Sequence, residues 1–173
     1  MPESLLLFTD ASVAPQHQIA VGGFLCLTRD DFLSQDLDGL LASIPDKIVY
    51  REFPTHKSSY AEILTVIEAL DYVKALQKSL RLFTDCQTVC HLLGERRAKL
   101  ENVHFTTGAG KELAHAELYR ELFGRADRFE LTWVKLEGHK ASKAHKTRED
   151  LIFQILDKSV RKKLRFAVQS GLA

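Results

Sequence analysis

Cysteine is scarce in this chain, with only Cys26, Cys86 and Cys90 among 173 residues. They form no C-x-x-C pair and leave one thiol over under any pairing, so reduced thiols in a cytoplasmic protein are expected, not a disulfide framework. A thiolate nucleophile at Cys86 is the alternative reading. No apolar run approaches the roughly 18 residues that a membrane span needs. The opening MPESLLLFTD has a short apolar stretch without a basic lead or a small-residue cleavage site, and reads as a strand, not a signal peptide. Repeats and low-complexity tracts are absent. Neither sign of charge dominates, since the net charge is +1. A content of 45% hydrophobic and 27% charged residues fits one globular domain over residues 1–173, too short for two. A monomer is assumed.

Charge is nonetheless unevenly placed. Residues 138–148, GHKASKAHKTR, carry Lys140, Lys143, Lys146 and Arg148 and no acid. Lys158, Arg161, Lys162, Lys163 and Arg165 follow in the last helical segment. These are either solvated faces or a surface toward phosphates, and charge alone does not decide between them.

Periodicity supplies the elements. Leu5–Thr9 is a short apolar run ending at Asp10 and suits a buried strand. Gln18–Thr28 is a second strand, in which Gly22-Gly23 marks a bulge or a close backbone approach. Residues 30–45 read as an irregular hairpin connection with a helical turn, and Lys47–Phe53 as a third strand. Ile63, Leu64, Ile67, Leu70 and Leu76 recur at helical spacing, giving an amphipathic helix over Ser59–Leu76. Leu80–Thr84 is a fourth strand, feeding a helix from near Asp85 to Leu93. A helix over Ala114–Phe123, a strand over Phe129–Leu136 and a last helix over Glu149–Val168 complete the chain. Trp133, inside that strand, reads as core. Three strands followed by alternating helix and strand indicate a mixed α/β sheet with helices on its faces.

Four acids stand at strand ends or helix starts: Asp10, Glu62, Asp85 and Asp150. Each has an ordinary explanation. Asp10 could close a turn, and Asp85 could cap the helix after it. Ser59-x-x-Glu62 and Thr147-x-x-Asp150 have the form of capping boxes. Together they have another meaning. Phosphodiester hydrolysis by paired divalent ions needs several carboxylates converging from different elements, and Mg²⁺ takes hard oxygen ligands. Four neighbouring acids repel one another unless cations intervene.

Five segments, in order, resemble the ribonuclease H family, type 1. LLLFTDAS (5–12) is similar to its first strand with a T-D-G-S signature. SSYAEILTVIEAL (58–70) resembles its Glu-bearing helix, and LRLFTDCQTV (80–89) its T-D-S-Q/E-x-V turn. FTTGAGKELAHAELYREL (105–122) resembles the segment before the fifth strand. WVKLEGHKASKAHKTREDLI (133–152) is similar to the W-V-K-G-H loop with a D-x-L helix start. The resemblance implies a ribonuclease H-like fold, with a five-stranded mixed sheet ordered 3-2-1-4-5 and strand 2 antiparallel. It implies an endonuclease that hydrolyses the RNA strand of RNA–DNA hybrids with two Mg²⁺ ions, Mn²⁺ being an alternative. Asp10 would bridge the ions, Glu62 and Asp85 would hold one, and Asp150 the other. His139 would assist proton transfer or product release from a mobile loop. Ser12, Ser58, Ser59 and Gln87 fall where the family contacts the substrate backbone.

The chain departs from that pattern in places. Ala11 replaces a Gly, Cys86 stands where Ser is usual, and a Gly-rich stretch is missing from VAPQHQIAVGG. The last loop lacks an Asn and differs in spacing by a residue, which makes Glu149 a rival to Asp150. Other readings are a nuclease or resolvase acting on DNA, a catalytically silent nucleic-acid-binding module, and a phosphatase with Asp10 as nucleophile. The last lacks the D-x-D it would need at residues 10–12.

Overall fold

The apolar run at Leu5 extends as a strand past Asp10 to Ala14, because its outer half pairs residue for residue with Ile19–Gly23. A computed structural model describes residues 4–73, 79–138 and 146–171. In order, it contains β1 (Leu5–Ala14), β2 (Ile19–Leu27), α1 (Arg29–Phe32), α2 (Leu37–Lys47), β3 (Val49–Phe53) and α3 (Ser58–Val73). There follow β4 (Ser79–Thr84), α4 (Gln87–Leu93), α5 (Glu95–Asn102), α6 (Ala116–Ala126), β5 (Glu130–Lys135) and α7 (Arg148–Gly171). The sheet order is β3-β2-β1-β4-β5, with β2 antiparallel to both neighbours and β4 and β5 parallel to β1. Among the described residues no helix is long and apolar enough to cross a membrane.

Alternation along β1 divides the core. Leu5 and Leu7 point to the face covered by α3 and α6, where Ile63, Val66, Leu70 and Leu122 bury. Leu6 and Phe8 point to the opposite face, under Ile152, Leu156 and Val160 of α7. Phe8 stacks on Phe83 of β4, with ring centroids 4.7 Å apart and planes 12° apart. Burial of whole apolar side chains at about 1.5–3 kcal/mol each fixes which way the strand faces, and hence where Asp10 points.

Gly22 and Gly23 lie in an unbroken ladder, opposite Ala11 and Asp10, so they mark close approach and not a bulge. A Cβ on Gly22 would strike Thr65 of α3, and one on Gly23 would strike Val160 of α7. Adjacent glycines therefore let helices from opposite faces close on the same strand.

Two expectations need correction, and one helix has no counterpart among them. Residues 30–45 are more ordered than an irregular connection: Thr28 caps α1 through Asp31 N–H, and Asp36 caps α2 through Gly39 N–H. Asp36 thus begins a helix that buries Leu40 and Ile44. Helix α5 follows Gly94 although only Leu100 of it is buried. Arg97 ties it down, bonding Glu101 within the helix and Asp127 beyond α6. Trp133 is 37% exposed and not core, because β5 is an edge strand with one neighbour. The helix expected over Ser59–Leu76 is seen as Ser58–Val73, and residues 74–78 lie outside the described residues.

Two glycine substitutions should move stability in opposite directions, read as urea midpoints. Gly23→Ala should cost about 1–3 kcal/mol by overpacking against Val160. Gly124→Ala, in the last turn of α6 with nothing within 4 Å of the new Cβ, should stabilise by roughly 0.5–1 kcal/mol.

Candidate metal centre

Strand register brings the first two acids together. Phe8 is level with Phe83 in the parallel pair, so two residues further on Asp10 is level with Asp85, just beyond the end of β4. Glu62 reaches them from the first turns of α3, and its Oε1 accepts the Ala11 N–H at 3.2 Å. Each of Asp10, Glu62 and Asp85 offers an oxygen within 4.8 Å of the others. Glu62 is therefore not used to close a capping box with Ser59. Nor is Asp85 the cap of α4: Cys86 holds the cap position, and Thr84 Oγ1 accepts the Cys86 N–H.

The site is dry and repulsive. Asp10 is 3% exposed and Glu62 6%. Burial, then the charges of Asp85 and Asp157, raise the Asp10 carboxyl from 3.8 to about 8. Burial, with Asp10 and Asp85, raises Glu62 well above the usual carboxylate range. Among the described residues, Asp10 Oδ2 and Glu62 Oε2 are buried without a hydrogen-bond partner. Unpartnered carboxylate oxygens cost several kcal/mol unless a proton or a cation meets them. Hard oxygens at this spacing suit a divalent cation such as Mg²⁺. The Cys86 thiol, pushed up to about 11 by burial and by Glu62, stays protonated at neutral pH and is a poor nucleophile.

Helix α7 brings a fourth acid to the group, and it is one the sequence reading passed over. Asp157 lies within hydrogen-bonding reach of Asp10 and raises both Asp10 and Glu62. Two carboxylates hold such a contact when a proton or a cation lies between them. Arg161, one turn on, bonds Asp157 Oδ1 at 3.1 Å. Asp150 forms the reciprocal capping box expected of it: its Oδ2 accepts the Thr147 N–H at 2.9 Å, and its own N–H donates to Thr147 Oγ1 at 3.2 Å. It borders a cavity with Arg81, Phe83, Val134 and its rival Glu149. Asp150 and Asp157 are seven residues apart, about 20° short of two full turns, and so share one flank of the helix. That heptad spacing was the available signal.

The remaining candidates are spread around this group. Ser12 lies half-buried two residues beyond Asp10, and Gln87 is exposed at the start of α4. Ser58 and Ser59 are exposed in the first turn of α3 and line a cavity of about 380 Å³ with Lys57, Thr88, His115 and Tyr119. Lys57 and His115 were not singled out in the sequence, since they share no motif with the acids. His139 falls outside the described residues; its neighbour Gly138 packs so closely on Asp85 that a Cβ there would strike the carboxylate.

The raised carboxylates set a sign for pH. Because Asp10 titrates near 8 when folded and near 3.9 when unfolded, its contribution is favourable below about pH 4 and is lost as pH rises to about 8. In chelator, Asp10→Asn should therefore be more stable than the parent at pH 8, by on the order of 1–3 kcal/mol. The difference should vanish near pH 4, and added Mg²⁺ should narrow it at pH 8. Thermal melts across that range check this.

The RNase H family profile matches residues 2–152. Among solved structures, the PFV RNase H domain superposes with a TM-score of 0.69 at 14% identity, over 96% of this chain and 97% of that one. The N-terminal RNase H domain of a Mycobacterium tuberculosis protein gives 0.58 at 15% identity, over 98% and 99%. A foamy viral protease–reverse transcriptase in complex with an RNA/DNA hybrid gives 0.60 at 13%, over 94% of this chain but only 21% of that polypeptide. No curated protein matches. At these identities the structural likeness carries the fold, and the profile carries the membership: this chain belongs to the RNase H family.

Proposed function

We propose that this protein is a divalent-metal-dependent endonuclease that hydrolyses the RNA strand of RNA–DNA hybrids. The observation that carries the reading is the convergence of Asp10, Glu62 and Asp85 within 4.8 Å, two of them with buried, unpartnered oxygens. Asp10, Glu62, Asp85 and Asp157 would hold the ions, two in number, with Mg²⁺ or Mn²⁺ as the species. When bound, such a pair supplies an activated water and neutralises charge at the phosphorus, leaving a 3′-hydroxyl and a 5′-phosphate.

The chain's own groups supply position and environment. Asp10 is central, facing Asp85, Glu62 and Asp157 at once. Its orientation is enforced by Phe8 and Leu6 on the same face of β1. Ala11 N–H holds Glu62 in place. Lys57, Ser58, Ser59 and Thr88 gather where α3 and α4 begin, an arrangement of hydroxyls, N–H groups and one cation that suits the phosphates of a nucleic-acid strand. Discrimination of RNA from DNA would rest on contacts to the 2′-hydroxyl, for which Ser12 and Gln87 are the candidates beside the acids.

The test is a panel of labelled RNA–DNA hybrid, duplex RNA, duplex DNA and single strands with Mg²⁺ or Mn²⁺. Hybrid cleavage with loss of about a hundredfold or more in Asp10→Asn, Glu62→Gln and Asp85→Asn is expected. Cleavage of DNA alone would replace hybrid specificity with a DNA nuclease, and no metal-dependent cleavage would leave a silent binding module. Within the same assay, Asp157→Asn should fall with the other three. Asp150→Asn should keep most of its activity and lose about 1 kcal/mol of stability as a helix cap.

A further inference from the structure

Apart from Arg161, the basic run of α7 takes no part in the acid cluster. From Lys158 to Phe166 the helix carries five cations and no acid. Its Asp157 flank turns toward β1, where Arg161 is already bonded to Asp157. Lys162, Lys163 and Phe166 fall roughly 140–240° further round the helix, on the flank that turns toward β3. There they line a cavity of about 400 Å³ with Tyr50, Pro45 and Ser159. Phe166 is 63% exposed, and exposing so large a ring at the end of a helix has no benefit for folding. Lys163 is held between two rings, its Nζ 5.4 Å from the Tyr50 centroid and 5.9 Å from that of Phe166. A cation fixed in this way loses little freedom when an anion arrives.

We propose that this flank of α7 is a second nucleic-acid contact, which takes a single-stranded segment with phosphates on Lys162 and Lys163 and a base stacked on Phe166. Charge selects a polyanion, and an exposed ring beside paired cations suits the alternating phosphates and bases of an unpaired strand. A paired base offers no free face to such a ring. From Asp157 to Phe166 the rise along the helix is about 14 Å, so a strand leaving the acid cluster needs only a few nucleotides to reach it. The proposal extends the nucleic-acid reading of the acids, and binding and cleavage are measured separately so that either can fail alone.

The full-length protein in chelator is titrated against a fluorescein-labelled oligothymidylate of about 12 nucleotides, by anisotropy at several salt concentrations. Phe166→Ala should weaken binding about five- to tenfold. The pair Lys162→Gln and Lys163→Gln should lower the slope of log affinity against log salt by about 1.4, for two phosphates lost from a single strand. Melting midpoints equal to the parent's confirm that neither change unfolds the chain, and Phe166→Ala should leave Mg²⁺-dependent cleavage of a blunt hybrid unchanged. Unchanged affinity and slope in both variants overturn the proposal, as does a parent that does not bind the strand. Equal competition by polyglutamate overturns it in favour of an acidic-peptide surface. Failure of cleavage with the binding pattern intact would instead count against the nuclease reading alone.

Discussion

Repulsion among buried carboxylates is the constraint around which this molecule is organised. Asp10 and Glu62 are almost wholly removed from water and face each other, Asp85 and Asp157. Nothing intrinsic to four acids brings them together. Sheet and helices force them into contact by burying apolar surface on both faces of β1, and the acids ride on that packing. The same force that closes the core therefore loads the site, which is eased by a proton below about pH 8 or by a cation.

Two glycines make the geometry possible. Because Gly22 and Gly23 lack side chains, α3 and α7 approach β2 closely from opposite faces. Glu62 rides on the first helix and Asp157 on the second. The altered turn Asp10-Ala11-Ser12 is accommodated within a regular antiparallel pair, and Ala11 contributes its N–H to Glu62. Its methyl costs the cluster nothing, since the backbone group does the holding.

Much of the architecture was legible because apolar periodicity reports directly on burial. The alternation of Leu5 to Phe8, the helical recurrence of Ile63, Ile67 and Leu70, and the fourth strand at Leu80 all state which side of an element is dry. Asp10, Glu62 and Asp85 were legible for a related reason: each is fixed within a strand, at a strand end or at a helix start by adjacent apolar residues. Helix α2 is obscure in the sequence because its cap, Asp36, is as common in loops as at helix starts. Trp133 was misjudged because strand periodicity does not reveal which strand lies at an edge.

The sequence by itself determined the five strands, the principal helices and the family to which they belong, since these follow from local pattern and from motifs of a few residues. Only the tertiary structure brings Asp157 of α7 up to Asp10. Asp150 and Asp157 have nearly the same angular position on the helix, and each has one leucine beside it in sequence. Their difference is a translation of two turns along the axis, set by Leu156 and Val160 packing over Gly23. A displacement along a helix leaves no periodic signature in the chain, so it could be read only from the packing.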